Sequence, residues 1–88
     1  MLRAEAVVVN RLGLHARPSA RLTATASKFI SEVWLSKGSR RINAKSIMGV
    51  MMLAAAKGST LVIETDGPDE AEALDAMKDL IASGFGED

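Results

Sequence analysis

The chain has 88 residues, 48% of them hydrophobic, and its eleven basic residues balance eleven acidic ones. A chain this short builds one core, so we expect a single domain over residues 1–88. Zero net charge argues against a general nucleic-acid-binding protein. The absence of cysteine excludes disulfides, thiolate nucleophiles and cysteine metal sites. No apolar run is long enough for a signal peptide or a membrane span, and we expect a cytoplasmic protein.

Strand-like and helical segments follow one another along the chain. Short runs rich in β-branched residues, bounded by turn residues, predict strands at 4–9, 32–36, 40–43 and 60–65. Apolar residues at helical spacing, with an early proline in the first case and early acids in the last, predict helices at 16–28, 47–56 and 69–82. The order β-α-β-β-α-β-α indicates an α+β fold. We expect an open-faced two-layer sandwich, with a four-stranded antiparallel sheet and three helices on one face.

The same spacing predicts which helical residues are buried. In the first helix the buried stripe comprises Leu22, Ala26, Phe29 and Ile30. In the last helix it comprises Leu74, Met77, Leu80 and Ile81. Gly84 is expected to end that helix.

The only histidine, His15, stands in the stretch RLGLHARPSARL, where the first strand gives way to the first helix. The free N–H groups and partial positive charge of a helix start bind anions, phosphate included. Ala16 and Arg17 supply such N–H groups, and the Arg17 guanidinium suits phosphate oxygens. A neutral imidazole is a nucleophile near pH 7, and no acid–base partner lies near His15 in the sequence. These residues suit a transient phosphohistidine. Spacing alone leaves open that His15 and Arg17 are ordinary surface residues.

The second helix is apolar throughout, because no polar side chain occurs from residue 47 to residue 56. Its spacing predicts that the side facing the sheet comprises Val50, Leu53 and Ala54, and that the opposite stripe comprises Ile47, Met48 and Met51. An exposed stripe of isoleucine and methionine is typical of a partner surface. The alternative, that the methionines fill gaps in the core, stays open at this point.

Ser46 precedes the second helix and is expected to be its N-cap. A helix start also tolerates the charge of an added phosphate, so Ser46 is a candidate regulatory phosphorylation site. About two negative charges would then lie beside the apolar stripe and repel acidic partners. The structural and the regulatory role of Ser46 are compatible.

The stretches GLHARPSA around His15 and KSIMGVMMLAAAKGS around Ser46 resemble the HPr family, the histidine-containing phosphocarriers of the phosphoenolpyruvate-dependent phosphotransferase system, in its proteobacterial form. The resemblance spans essentially the whole chain. It implies a carrier rather than an enzyme, which accepts a phosphoryl group from phospho-enzyme I on Nδ1 of His15. The group then passes to IIA proteins or domains.

The resemblance also implies roles for particular residues. Arg17 matches the arginine that assists transfer, and Ser46 matches the serine phosphorylated by HPr kinase/phosphorylase. The residues that match the docking surface for partners are Leu14, Ile47, Met48 and Met51. Two positions depart from the pattern of some relatives, which carry lysine at position 24 and glycine at position 54; this chain has Ala24 and Ala54. We expect a monomer with no cofactor, no metal, no nucleic-acid partner and no membrane insertion.

The sequence leaves one alternative function open and argues against two others. A regulatory HPr-type protein of the nitrogen-related phosphotransferase branch, acting by phosphorylation-dependent partner binding, is the open alternative. An acylphosphatase would need a glycine-rich loop with an anion-binding arginine near the N-terminus, which this sequence lacks. A metal chaperone would need a cysteine pair, and the chain has none.

Overall fold

The computed structural model describes residues 1–87, and its elements follow one another in the predicted order. The strands are β1 (Leu2–Val7), β2 (Glu32–Lys37), β3 (Arg40–Asn43) and β4 (Thr60–Asp66). The helices are α1 (Ala16–Ala26), α2 (Ile47–Met52) and α3 (Glu70–Ala82), and a single 3-10 turn follows at Gly84–Gly86. Over residues 1–87, every helix is too short or too polar to cross a bilayer.

The four strands form one antiparallel sheet in the order β1-β4-β2-β3, and the three helices cover one of its faces. The predicted open-faced sandwich is therefore confirmed. Alternate residues of the central strand β4 turn toward the helices, and Ile63 pairs with Ala4 on one side and with Leu35 on the other. The largest fully buried side chains are Leu22, Leu35, Leu61, Ile63, Met77, Ile81 and Phe85. They fill the space between sheet and helices.

The opposite face of the sheet is open and carries a charged cluster. Trp34 on β2 is half-buried there, and the guanidinium of Arg41 lies 4.3 Å from its ring centroid. Arg41 also donates from Nε to Glu64 Oε1 at 3.0 Å. Arg41 thus makes a cation–π contact with the indole ring and an ion pair with Glu64 on this face.

The first strand begins and ends two residues earlier than predicted. Its register, from Leu2 opposite Thr65 to Val7 opposite Thr60, is set by β4, which begins at Thr60. Val8 and Val9 lie beyond that strand, although the Val8 amide still donates to Ser59 O at 2.9 Å. The extent of the paired strand β4 therefore decides where β1 ends, whereas the run of valines alone predicts an end two residues too late.

Helix α1 ends at Ala26, two residues before the predicted end, and its stripe is only partly as expected. Leu22 and Ala26 are buried and Phe29 is half-buried, but Ile30 is 78% exposed. Ile30 lies in the following loop, where its amide donates to Asp69 Oδ2 at 3.0 Å. Helical periodicity therefore does not apply at that position.

Helix α3 begins at Glu70, and its predicted stripe is largely confirmed. Met77 and Ile81 are fully buried, Leu74 and Leu80 are half-buried, and Ala73 joins the buried side. Asp69 occupies the N-cap position but does not cap its own helix. Its carboxylate instead accepts from the Ile30 and Ser31 amides and the Ser31 hydroxyl, which joins the two loops at this end of the molecule.

Candidate functional site

His15 is the N-cap of α1, and it therefore lies at a helix start, as the sequence predicts. Its backbone is extended, with φ −78° and ψ −172°, and its carbonyl accepts from the Ser19 amide at 3.0 Å. The buried Ser19 hydroxyl donates back to Leu14 O at 3.1 Å. The imidazole makes no capping bond, so it is free to face outward, with 37% of the side chain exposed.

Gly13 allows the turn before His15 to lie directly on the segment that follows α2. Its φ is +66°, and a Cβ atom there would stand 2.3 Å from the carbonyl oxygen of Ala55. The next amide, that of Leu14, donates to that same oxygen at 2.9 Å. Only glycine satisfies both the left-handed backbone and the close approach. His15 is thereby fixed relative to α2 as well as to α1.

The first turn of α1 offers unused donors beside the imidazole. Within residues 1–87, no group accepts a hydrogen bond from the Ala16 or Arg17 amide. The two amides therefore lie at the helix start beside His15, as the sequence predicts. Arg17 is exposed and forms no ion pair with any described residue, and the same holds for Arg11. Arg11 was not among the predicted site residues.

An open depression surrounds the imidazole, and it brings together two distant parts of the chain. Its lining comprises Arg11, Leu12, His15, Arg17, Gly86 and Glu87. The two arginines make it attractive to an anion, since guanidinium forks match phosphate oxygens. Glu87 supplies the single carboxylate of this lining.

Glu87 also belongs to this site, although no local feature of the sequence indicates it. Its Oε1 lies 3.1 Å from His15 Nε2, although the two residues are 72 positions apart. The expectation that His15 has no acid–base partner holds along the chain but is wrong in space. The hydrogen bond from His15 chiefly, helped by one from Asn10 and by the charge of Arg17, lowers the pKa of Glu87, while desolvation opposes the shift. Nδ1 of His15 has no hydrogen-bond partner within residues 1–87.

Ser46 caps α2, as predicted. Its backbone is extended and its Oγ accepts from the Gly49 amide at 3.1 Å, while the residue itself stays exposed. An N-cap hydroxyl satisfies one of the free donors of the first turn. The hydroxyl is therefore both structural and accessible.

Helix α2 is shorter than predicted, since it ends at Met52 rather than at residue 56. Leu53 is its C-cap, and Ala54 turns into the left-handed region with φ +49°. Two cationic side chains from the β2–β3 hairpin meet the chain here: Arg40 donates to Met52 O at 2.6 Å and Lys37 donates to Ala54 O at 3.4 Å. The break is tertiary in origin, because residues 50–56 contain neither glycine nor proline.

The predicted division of α2 into two sides is mostly confirmed. Val50 and Leu53 are buried, but Ala54 is exposed because the helix has already ended. The outward side chains are exposed by 40 to 69%, and we call them the methionine patch: Ile47, Met48, Met51 and Met52. Met52 was not predicted in this set.

Leu14 does not belong to this exposed surface. Its side chain is 5% exposed and packs in the core. The prediction that Leu14 belongs to the docking surface is therefore wrong, because a buried side chain cannot contact a partner. The hydrogen bond from its amide to Ala55 O turns the residue inward. Leu14 supports the site from beneath.

Comparison with known proteins gives consistent matches over most or all of the chain. The family model described as "PTS HPr component phosphorylation site" matches residues 2–83. A phosphocarrier protein HPr from Cupriavidus necator is 59% identical over 87 residues, which cover 99% of this chain and 98% of that protein.

Solved structures agree with these sequence matches. The crystal structure of HPr-C-His from Thermoanaerobacter tengcongensis superposes with a TM-score of 0.96 at 45% identity, covering 100% of this chain and 99% of that one. An HPr dimer from the same organism superposes with a TM-score of 0.79 at 46% identity, covering 99% and 100%. The chain therefore belongs to the HPr family, the phosphocarrier proteins of the phosphotransferase system.

Proposed function

We propose that His15 is the residue on which this phosphocarrier accepts its phosphoryl group from phospho-enzyme I, and that Nδ1 forms the bond. The observation that carries the proposal is the position of the imidazole at the N-cap of α1, beside amide donors that no described residue uses. A helix start with free N–H groups stabilises a phosphate without any side-chain rearrangement.

Arg17 is proposed to assist the transfer. Its guanidinium lines the same depression as His15 and is exposed, so it can reach the phosphoryl oxygens as they arrive. The amides of Ala16 and Arg17 would bind the remaining oxygens. These groups stabilise a spread negative charge, which is the chief requirement in phosphoryl transfer.

The methionine patch is proposed as the surface that enzyme I and the IIA proteins or domains cover. Its side chains are large, apolar and exposed, and unbranched methionines adapt to partners of different shape. Ser46 adjoins this patch at the start of α2. We propose that HPr kinase/phosphorylase phosphorylates Ser46, which places charge at the edge of the patch and weakens carrier function.

The remaining parts of the proposal concern the state of the protein. We propose that residues 1–88 act as one domain and as a monomer, because the exchange of partners requires His15 and the patch to be uncovered. We also propose a cytoplasmic location, which the lack of cysteine suits. Sedimentation of the purified chain tests the monomer, and a dimer that covers His15 would contradict it.

Transfer from labelled phosphoenolpyruvate, catalysed by enzyme I, tests the role of His15. The protein should take up an acid-labile, base-stable label, and the variant His15→Ala should take up none. His15→Ala should keep the circular dichroism of the parent protein, because the side chain is partly exposed and makes no capping bond. Equal labelling of both proteins, or no label on either while both are folded, would overturn the proposal.

A further inference from the structure

The carboxylate of Glu87 contacts one ring nitrogen of His15 and not the other. Glu87 Oε1 lies 3.1 Å from Nε2, and Asn10 Nδ2 donates to the same oxygen at 3.2 Å. An ionised carboxylate can only accept hydrogen bonds, so Nε2 must carry the proton in this contact. The neutral ring then keeps its lone pair on Nδ1.

We infer that Glu87 is a positioning residue for phosphoryl acceptance, which holds the proton on Nε2 and leaves Nδ1 as the nucleophile. The inference deepens the proposed function and rests on the role of His15 given there. A partner on one imidazole nitrogen sets the chemistry of the other, and it also fixes the plane of the ring.

The surroundings of Glu87 keep it in the acceptor state. Its pKa lies below the usual value, because His15 first, then Asn10 and the charges of His15 and Arg17, favour the carboxylate. Its side chain is 21% exposed, less than that of His15 at 37%. The other charged group of the depression is Arg11, which also favours a carboxylate over a carboxylic acid.

The backbone that carries Glu87 is held at a defined place. Phe85 is fully buried in the core, and Arg21 donates to its carbonyl oxygen. Three successive residues, from Gly84 to Gly86, have φ between +59° and +72°, so the chain turns sharply. The Glu87 amide then donates to Gly84 O at 2.9 Å.

Asn10 secures the carboxylate from the other side. It is 1% exposed, and its Nδ2 donates to Gly13 O at 2.8 Å as well as to Glu87. This amide orientation is the only one that works, since a reversed amide would place its oxygen against two acceptors. The loop that precedes α1 and the segment that follows α3 are thus joined through the side-chain amide of Asn10.

The transfer step follows from this arrangement. The lone pair of Nδ1 attacks the phosphorus of the donor phosphohistidine on enzyme I, and the new Nδ1–P bond forms. The bond between phosphorus and the donor nitrogen breaks, and its electron pair stays on that nitrogen. Positive charge develops on the ring of His15, the proton remains on Nε2, and the Glu87 carboxylate stabilises the charge.

Nitrogen NMR of His15, at a pH where the ring is neutral, tests the tautomer directly. The parent protein should show Nε2 as the protonated nitrogen and Nδ1 as the nitrogen with the lone pair. In Glu87→Ala the two shifts should move toward each other as the tautomers mix. Unchanged shifts in that variant would overturn the inference, and this readout does not depend on enzyme I.

Phosphoryl acceptance from enzyme I tests the consequence for the rate. Glu87→Ala should accept roughly three- to tenfold more slowly, the effect of one charge-assisted hydrogen bond at a partly exposed site. Glu87→Gln should be intermediate, since its amide oxygen still accepts from Nε2–H. Glu72→Gln, an equal loss of charge on the exposed side of α3, should match the parent protein.

The outcomes separate this inference from the function on which it rests. Acceptance in Glu87→Ala that equals or exceeds the parent rate would overturn the inference, because the carboxylate would then only repel the incoming phosphoryl group. A parent protein that takes no label would instead overturn the proposed function. The NMR shifts would still decide whether Glu87 sets the tautomer.

Discussion

Substituting Gly13 by alanine should destabilise the protein far more than the same change at Gly38. Both glycines have a left-handed backbone, with φ of +66° and +60°. An alanine in that conformation costs about 1–2 kcal/mol. At Gly38 a Cβ atom meets nothing within 4 Å, so this conformational cost is the whole effect.

At Gly13 the new atom has no room. It would lie 2.3 Å from Ala55 O and 2.9 Å from Ala56 Cα, and both are backbone atoms that no side-chain rotation can move. Overpacking of this kind adds about 1–3 kcal/mol. The hydrogen bond from the Leu14 amide to Ala55 O, worth about 1 kcal/mol, would be lost as the segments separate. The free energy of unfolding should therefore fall by about 3–6 kcal/mol in Gly13→Ala.

Urea unfolding, followed by the fluorescence of Trp34, measures this difference. With an m-value of about 1 kcal/mol/M for a small domain, the midpoints of the two variants should differ by about 2–4 M. Trp34 is the only tryptophan and lies on the open face of the sheet, so neither substitution touches it. Midpoints within experimental error of each other would refute the argument that close approach, rather than φ alone, requires glycine at position 13.

Three further predictions concern other residues. Ala54→Gly should increase the free energy of unfolding by up to about 1 kcal/mol, because glycine adopts a φ of +49° without steric cost. The melting temperature should rise accordingly, and a lower melting temperature would contradict this. The Ser31 hydroxyl, followed by the Ile30 amide, holds the pKa of Asp69 below its usual value of 3.8. The stabilisation by the Asp69 carboxylate is complete above pH 3.8 and is lost as the pH falls through the folded-state pKa. Urea unfolding above and below that pH should therefore show a smaller loss of unfolding free energy on acidification in Asp69→Asn than in the parent protein. An equal loss in both proteins would count against the role of Asp69. Ser46→Asp should slow phosphoryl acceptance from enzyme I, whereas Ser46→Ala should lose only the cap, about 1 kcal/mol of stability. An unchanged rate in Ser46→Asp would remove the argument for a switch.

Local chemistry made much of this molecule predictable. Ser46 is the N-cap of α2, as expected, and His15 lies at the start of α1, where the sequence places it, because a helix start depends on the few residues around it. The element order also follows from local patterns of period two and period three to four. The family resemblance rested on those same local stretches, and the family matches agree with it.

The features that escaped prediction depend on contacts between distant residues. Nothing near His15 in the sequence indicates Glu87, which arrives by a turn of two glycines around a buried phenylalanine. Leu14 is apolar like its exposed neighbours in the predicted surface, and only its contact beneath Ala55 shows that it is buried. The apolar run after Ser46 continues past Met52, where the tertiary structure, not the propensity, ends the helix.

The composition of the methionine patch bears on how long a partner stays bound. A partner that covers Met48, Met51 and Met52 must immobilise three long, unbranched side chains that are 42 to 69% exposed when free. Ordering such side chains costs about 0.5–1.5 kcal/mol each, and the total subtracts from the affinity that the apolar contact provides. Since related complexes differ mostly in their dissociation rates, this cost shortens residence time. A carrier that must leave its donor before it can meet its acceptor benefits from a surface that binds broadly and releases quickly.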